Sequence, residues 1–569
     1  MTITVRHLAG AAAIAIMASL ASPALAQAET ESSASQEGEA APQDQIIVTG
    51  TRRSDRTVAD SPVPIDVIGG ETLSNSGYTE TNKVLNLNGS VGRGSAAVDL
   101  NTIPPIAIDR IEVLRDGASS QYGSDAIAGV INVQLRRAEG GRAQATYGKY
   151  VTTIDGVLEQ SGPVLGANGQ PVLDANAGAG GVYQLNSTGE ERTRRDGDTL
   201  TLAANIGLPV GAGGYVNLTA QYQDRDATNR SAADPRQQFP NVGTGVDPRE
   251  FTFDRYNHRY GDAATSDFNF FLNAGYELSP AAELYTFASY GIRDGESAGF
   301  YRRANDARNR DFSASTTTFV PFYPEGFLPL ITSRIEDIAA AGGVRGELGD
   351  GWNYDLSLVY GTNRFNFGVE NSFNVSFGQP SQRRFDAGSL KFGQTTVNFD
   401  IQRTFDVGIG DGLSVAFGAE YRDENFKIEA GDFQSYAGGP FIANGAPAGA
   451  QVFPGFRPAN EVDASRNSKA AYLELESDFF EMLTVQVAGR YEDFSDFGDT
   501  FNAKVAGRLE PVDGLALRGS YSTGFKAPSL HQQFYATTST NNVNGVLLEI
   551  LTVPVDDPIA VQLGSRPLE

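Results

Sequence analysis

The chain contains no cysteine in 569 residues. That excludes a disulfide framework, a thiolate nucleophile and a thiolate metal site. Histidine is almost as scarce: His7, His258 and His531 are the only three, too few for a histidine-rich metal centre. Positive charge is in deficit, with 44 Lys and Arg against 69 acids and a net charge of −25. Phosphate backbones require a basic face, so no nucleic-acid partner is expected. After the first 26 residues no apolar run approaches the roughly 20 residues of a membrane-spanning helix. These absences argue against an enzyme, and no catalytic constellation, metal centre or cofactor site is expected. What is present is 40% hydrophobic residues at a mean hydropathy of −0.27. That suits a soluble protein, and equally a β-barrel in which only alternate residues face lipid.

Met1 to Ala26 reads as a secretory signal: Arg6 and His7, an apolar run from Leu8 to Leu20, then small residues at Ala24-Leu25-Ala26. Residues 27–44 are Ala, Ser, Glu and Gln with almost no bulky apolar side chain, which predicts a disordered acidic tether. The tether ends at 45–51, whose Ile46, Ile47, Val48, Thr49 and Gly50 form a β-branched run. Such a run can add as a strand to a partner's sheet edge, or can be the first strand of the next domain. Further on, Pro64 to Ile68 predicts a strand and Gly70 onward a short helix. Ile106 to Arg137 then places two apolar runs around a turn-rich segment carrying Gly117, Gly123 and Gly129, a compact β unit.

From Arg142 the text takes a period of two. Val216, Leu218, Ala220 and Tyr222 alternate with Asn217, Thr219 and Gln221. Leu356, Leu358 and Tyr360 repeat the scheme, as do Val415, Phe417, Ala419 and Tyr421, and later Leu483, Val485 and Val487. Tyrosines 222, 290, 360, 421, 491 and 521 recur near expected strand ends, as an interfacial girdle requires. Short Gly/Pro/Asp turns alternate with long polar loops at 151–196, 226–265, 294–343 and 423–467. That alternation is the signature of an outer-membrane barrel. About thirteen strands are expected.

The stretch RIEVLRDGASSQYGSDAIAGVINV, with Arg110, Glu112, Arg115, Tyr122, Gly123 and Gly129, resembles the end of the plug domain of TonB-dependent outer-membrane receptors. The resemblance extends to 45–51, which is similar to the TonB box, and to Leu517–Phe534, similar to a mid-barrel segment. It implies a mostly β fold: an N-terminal α+β plug at 52–141, then an antiparallel transmembrane β-barrel from 142 to 569. The family pattern continues for longer where Val84-Leu85-Asn86 here meets Leu87, so a deletion near 86–87 is expected. Roughly 22 strands are usual for plugged transporters, so the barrel is expected to be incomplete, with open edges near Arg142 and Tyr521.

The implied function is energised uptake of a scarce ligand, a ferric siderophore being the commonest in the family. The implied partners are TonB with its inner-membrane energising complex, outer-membrane lipid and the ligand itself. Ile46 to Gly50 would bind TonB. Arg110, Glu112 and Arg115 are expected either to pair with the barrel wall or simply to keep the plug soluble. Arg302, Arg303, Tyr323 and Phe327 lie in long loops as candidate ligand contacts, or as ordinary loop structure. Asp493, Asp496 and Asp499 lack the spacing of a calcium loop and read as a polar rim. A passive porin- or adhesin-like barrel, or a receptor fragment without transport, are the other readings.

Overall fold

The computed structural model describes residues 49–53, 56–75, 80–81, 99–174, 181–408, 410, 412–479, 482–512, 514–543 and 546–566. The expected signal, tether, Ile46, Ile47, Val48 and the 86–87 junction lie outside these.

The N-terminal unit is a small antiparallel sheet ordered β1 (Ile65–Gly69), β2 (Ile108–Leu114), β3 (Val130–Leu135). Ile111 lies opposite Ile68 across the first pair, and Leu114 opposite Ile65. Ile108 and Ile111 are buried with Leu73 of the helix Gly70–Asn75. Leu114 joins a second cluster with Val63, Ala118 and Ala126, which also takes in Ala506 of the barrel wall. The plug core is thus continuous with the wall. Gly129 is required where β3 leaves β2, because a Cβ there would stand 2.3 Å from the carbonyl oxygen of Leu114.

Thirteen further strands form one antiparallel sheet in strict sequence order. They begin with β4 (Gly140–Pro163), β5 (Leu185–Val210), β6 (Gly214–Arg225), β7 (Ala264–Ser279) and β8 (Ala282–Ala298). The middle of the sheet is β9 (Leu330–Leu348), β10 (Trp352–Glu370), β11 (Phe385–Phe405) and β12 (Leu413–Glu429). It finishes with β13 (Val462–Phe479), β14 (Leu483–Phe494), β15 (Gly498–Val512) and β16 (Leu515–Ser522). The sheet does not close: β4 and β16 are its two edges. A separate hairpin, β17 (Thr537–Val543) with β18 (Val546–Thr552), follows.

Burial inverts the usual order of a soluble protein. On β14, Gln486 and Glu492 are fully buried while Val487 is 43% and Tyr491 49% exposed. Leu356, Leu358 and Tyr360 on β10 likewise face outward. Apolar side chains outside and polar ones inside describe a wall between lipid and a polar lumen. No helix among the described residues is long and apolar enough to cross a membrane. The fold is mostly β, an α+β plug followed by an incomplete antiparallel transmembrane barrel.

Two expectations are corrected. The strands run well past the positions where apolar alternation stops. β8 ends at Ala298 and β9 starts at Leu330, so the expected loop 294–343 contracts at both ends, and 151–196 and 423–467 contract likewise. The 19 residues of β9 span roughly 60 Å at about 3.3 Å each, more than the roughly 30 Å hydrocarbon layer takes even when tilted. Beyond that layer the ladder persists through mixed residues, as in Leu330–Ile338 of β9, where apolar side chains no longer alternate and the period is lost. The second correction concerns Tyr222, which is buried beside Ser266 and Phe268 of β7, whereas Tyr290, Tyr360, Tyr421, Tyr491 and Tyr521 are exposed as a girdle needs.

Candidate functional site

Two places gather chemistry: the junction between plug and wall, and the layer of loops above the strands.

At the junction the chain enters at Thr49, and both Thr49 and Gly50 are buried. Thr49 Oγ1 donates to Glu112 Oε2 at 2.6 Å and accepts from Asn132 Nδ2 at 2.9 Å. The Gly50 amide donates to the Tyr122 hydroxyl at 2.8 Å. Its carbonyl accepts from Gln121 Nε2 of the plug at 3.2 Å and from Gln486 Nε2 of β14 at 3.0 Å. Burial pushes the Tyr122 phenol above its ordinary pKa, against the pull of Arg52 and the Gly50 hydrogen bond. It therefore stays a neutral hydroxyl, accepting the Gly50 amide through its oxygen.

Immediately after, TRRSDR supplies the cations. Arg56 Nε donates to Glu476 at 2.7 Å and its Nη2 to Asp478 at 2.7 Å, while Arg53 reaches Asp478 at 3.1 Å. Thr51 Oγ1 donates to Glu476 at 2.9 Å. Arg52 lies over the rings of Tyr122 and Tyr472, with Asp400 3.7 Å away. Farther along, Asp116 meets the buried Lys504 of β15 at 3.1 Å. Plug and wall are joined by charge-assisted hydrogen bonds, each worth about 1.5–3 kcal/mol when its partner stays in place.

Of the plug residues singled out in the sequence, Arg110 pairs with Glu112 at 2.9 Å, and Arg115 with Asp66. Both pairs lie inside the plug. The expectation that these cations reach the wall is therefore corrected: β2 is the central plug strand, and its charged side chains pair with plug neighbours. The cations that do cross include Arg53 and Arg56, absent from the sequence reading. A signal existed, because Glu474, Glu476 and Asp478 on β13 occupy the parity opposite to the outward Leu473. Gly123, in a left-handed conformation, lets the turn pass near Arg422 and Arg490 of the wall.

In the loop layer, residues 301–311 lie against 320–327 through the bridges Arg302↔Phe327 and Arg310↔Pro321. Phe312, Phe322, Phe327 and Phe373 form the core there, with Phe322 stacked on Phe373 at 3.9 Å between centroids. Tyr323 packs on the same cluster and donates to the Ser372 carbonyl at 3.1 Å. The aromatic pair Tyr323 and Phe327 thus builds the loop core instead of presenting an open face. Arg302 is 2% exposed, and its Nη1 donates to the Phe300 carbonyl at 2.9 Å. Arg303 donates to the Gln237 carbonyl at 2.8 Å. Asp234 is committed to the Arg236 fork at 2.8 Å on two oxygens. Below the loops a cavity of about 560 Å³ is lined by Asp224, Arg225, Asp294, Glu296 and Arg334 among others. Its cations are paired, Arg225 with Glu80 and Arg334 with Asp294. Asp496 lies 3.7 Å from Arg466.

Family models match two parts of the chain. One described as TonB dependent receptor-like, beta-barrel, covers residues 285–547, and the TonB-dependent Receptor Plug Domain covers residues 86–130. Among solved structures, the chain is similar to a ferric enterobactin receptor in complex with BCV-L6, at 12% identity and a TM-score of 0.53 over 84% of this chain. It is also similar to a RagAB peptide importer in the open-open state, at 12% identity and a TM-score of 0.55 over 90% of this chain. The chain spans 64% of the length of each of these two structures. At such identity the likeness is one of fold. No curated protein matches the chain in sequence.

Proposed function

The chain belongs to the TonB-dependent receptor family, whose members are outer-membrane proteins, and from that premise we propose that it serves energised uptake of a scarce ligand, with a ferric siderophore as the substrate. The observation that supports this reading is a plug seated on the barrel wall, where Arg53 and Arg56 pair with Glu476 and Asp478 of β13. In the proposed cycle an exported chain holds its tether and plug on the periplasmic side, and the loops capture ligand outside. Ligand binding loosens the junction, and residues 46–50 become available. TonB, driven by its inner-membrane complex, adds them to its own sheet edge, where main-chain hydrogen bonds supply affinity. Pulling on that strand loads Arg53 and Arg56, the residues that tie the plug to β13.

Val48→Pro removes one ladder donor from the proposed strand. It is expected to abolish TonB binding and ligand uptake while leaving ligand binding in place. Unchanged TonB affinity in a direct binding titration would overturn the reading. The hydrogen-bonded burial of Thr49 and Gly50 favours a second reading, a passive barrel in which these residues simply belong to the folded domain. That reading predicts solute flux through reconstituted membranes with no dependence on TonB.

A further inference from the structure

We infer that the outer face of β10–β12 carries a docking site for a phosphorylated glycolipid of the outer leaflet, with Lys391 holding a phosphate between Arg364 and Lys427. The inference rests on the importer reading for its orientation, since that reading puts the loop layer outside the cell.

The observation is a row of like charges. The register sets Arg364 of β10 directly opposite Lys391 of β11, and Lys391 directly opposite Lys427 of β12. Side chains so placed stand about 5 Å apart at Cβ, and like charges there repel. All three face away from the lumen. Arg364 shares the parity of the exposed Leu356, Leu358 and Tyr360, Lys391 that of Val397 and Phe399, and Lys427 that of Phe417 and Tyr421. The acids beside the row are already committed. Arg364 holds Glu429 at 2.7 Å and Lys427 holds Asp463 at 2.7 Å. Glu336, opposite Arg364, goes to Arg334 at 2.9 Å. Lys391 has no ion pair or hydrogen bond among the described residues. As the middle member it meets a cation on either side.

Height on the wall identifies the partner. At the lower end of these strands Trp352 meets Phe405 and Phe417 at 5.7 and 6.2 Å between centroids, with Arg403 over the indole. That is an interfacial aromatic belt. The stretch from Trp352 to Arg364 climbs roughly 28 Å at about 3.3 Å per residue and a tilt near 45°, against about 25 Å for the apolar band of such a wall. The row therefore stands just above the hydrocarbon, past Tyr360 and Tyr421, at the level of lipid headgroups. There the Lys391 stem can lie along the apolar wall while its ammonium reaches the headgroup layer. A lipid phosphate supplies the anion that the wall withholds, and Tyr360, Val397 and Phe399 below it accept acyl chains. A soluble anion would use only the first of these.

The test uses the full chain, purified and delipidated in a neutral detergent. It is titrated with bisphosphorylated lipid A, with the same lipid stripped of its phosphates, or with phosphatidylcholine, and bound lipid is counted by native mass spectrometry. Retention of bisphosphorylated lipid A is expected, and of neither other lipid. Lys391→Gln is expected to weaken it about fivefold, the worth of one cation at an anionic lipid surface. Lys391→Arg is expected to keep it. Lys469→Gln, on the same outer face but opposite Asp493 of β14, is expected to leave it unchanged. Without lipid, Lys391→Gln is expected to melt no lower than the wild type, because the substitution removes a repelled charge. Undiminished retention in Lys391→Gln, equal retention of the dephosphorylated lipid, or a loss in Lys391→Arg as large as in Lys391→Gln would each overturn the site. Full displacement by millimolar inorganic phosphate would assign the row to a free anion and overturn the lipid. Val48→Pro tests the uptake reading alone: unchanged TonB binding with phosphate-dependent lipid retention intact sinks uptake and leaves the lipid site standing.

Discussion

The junction and the loop layer both bury arginines, but they treat them in opposite ways. At the junction Arg53 and Arg56 meet Glu476 and Asp478 at 2.7–3.1 Å. In the loops Arg302 and Arg303 hold only backbone carbonyls. A saturated cation is part of the scaffold, and its release requires work. The strongest way to break this comparison is at β13. Glu476→Gln with Asp478→Asn strands two buried guanidiniums, and losing one side of a buried pair costs about 3–5 kcal/mol. The plug is expected to detach at its N-terminal end, measured as cleavage after Arg53 or Arg56 by added trypsin. Wild-type resistance in the double variant would mean that the pairs hold nothing.

The next experiment compares signs. Arg56→Gln removes a matched cation and leaves Glu476 and Asp478 without it, so thermal stability is expected to fall by roughly 3 kcal/mol. Arg302→Gln removes an unmatched one, and the expected change is near zero or slightly stabilising, because the uncompensated charge goes with it. Equal losses in the two variants would erase the distinction between the junction and the loop layer.

Acid gives a smaller effect confined to the loops. Burial opposes ionisation of Asp234, but the Arg236 fork wins and holds its carboxyl down at about 2, below the ordinary 3.8. The unfolded loop therefore takes up the proton first. Asp234 stabilises the loop fully above pH 3.8, and that contribution is lost as pH falls toward 2. The loss is worth about 2 kcal/mol at most. His258 acts the same way higher up: burial, with Arg236, Arg302 and Arg303 against Asp234, lowers its pKa from 6.5. Its neutral form is favoured in the fold, so stability begins to decline below pH 6.5. Exchange over residues 234–260 is expected to quicken in two stages on acidification, with His258→Phe removing the first.

The wall was the most legible part of the chain, because lipid outside and water inside impose a period of two, and thirteen strands can be counted from it. Strand ends were less legible, since β8 and β9 continue through residues in which apolar and polar side chains no longer alternate. The plug motif identified the fold but pointed to the wrong cations. Arg110 and Arg115 belong to a recognisable phrase, whereas Arg53 and Arg56 are ordinary surface letters until β13 is known to face them. Their partners are 420 or more positions away. The loop arginines were visible as a run, YRRANDARNR, but nothing in a run says which members lack a counter-charge.

The finest test concerns Tyr122, a member of the recognisable phrase that does touch the box-like segment. Its hydroxyl accepts from the Gly50 amide at 2.8 Å, with Gln121 and Gln486 holding the carbonyl of the same residue. Tyr122→Phe keeps the ring and removes the acceptor, so one buried amide loses its partner at a cost of about 1 kcal/mol. The carbonyl side remains held, so the plug is expected to stay seated and only the entry strand to loosen. A difference of that size is about fivefold in an equilibrium. The Gly50 amide is therefore expected to exchange about fivefold faster, and apparent TonB affinity to rise by a similar factor, since the competent state is populated more often. Faster exchange without tighter TonB binding would separate the junction from the binding segment. In that case Thr49 and Gly50 would be structural, and the passive barrel would be the better account of their burial.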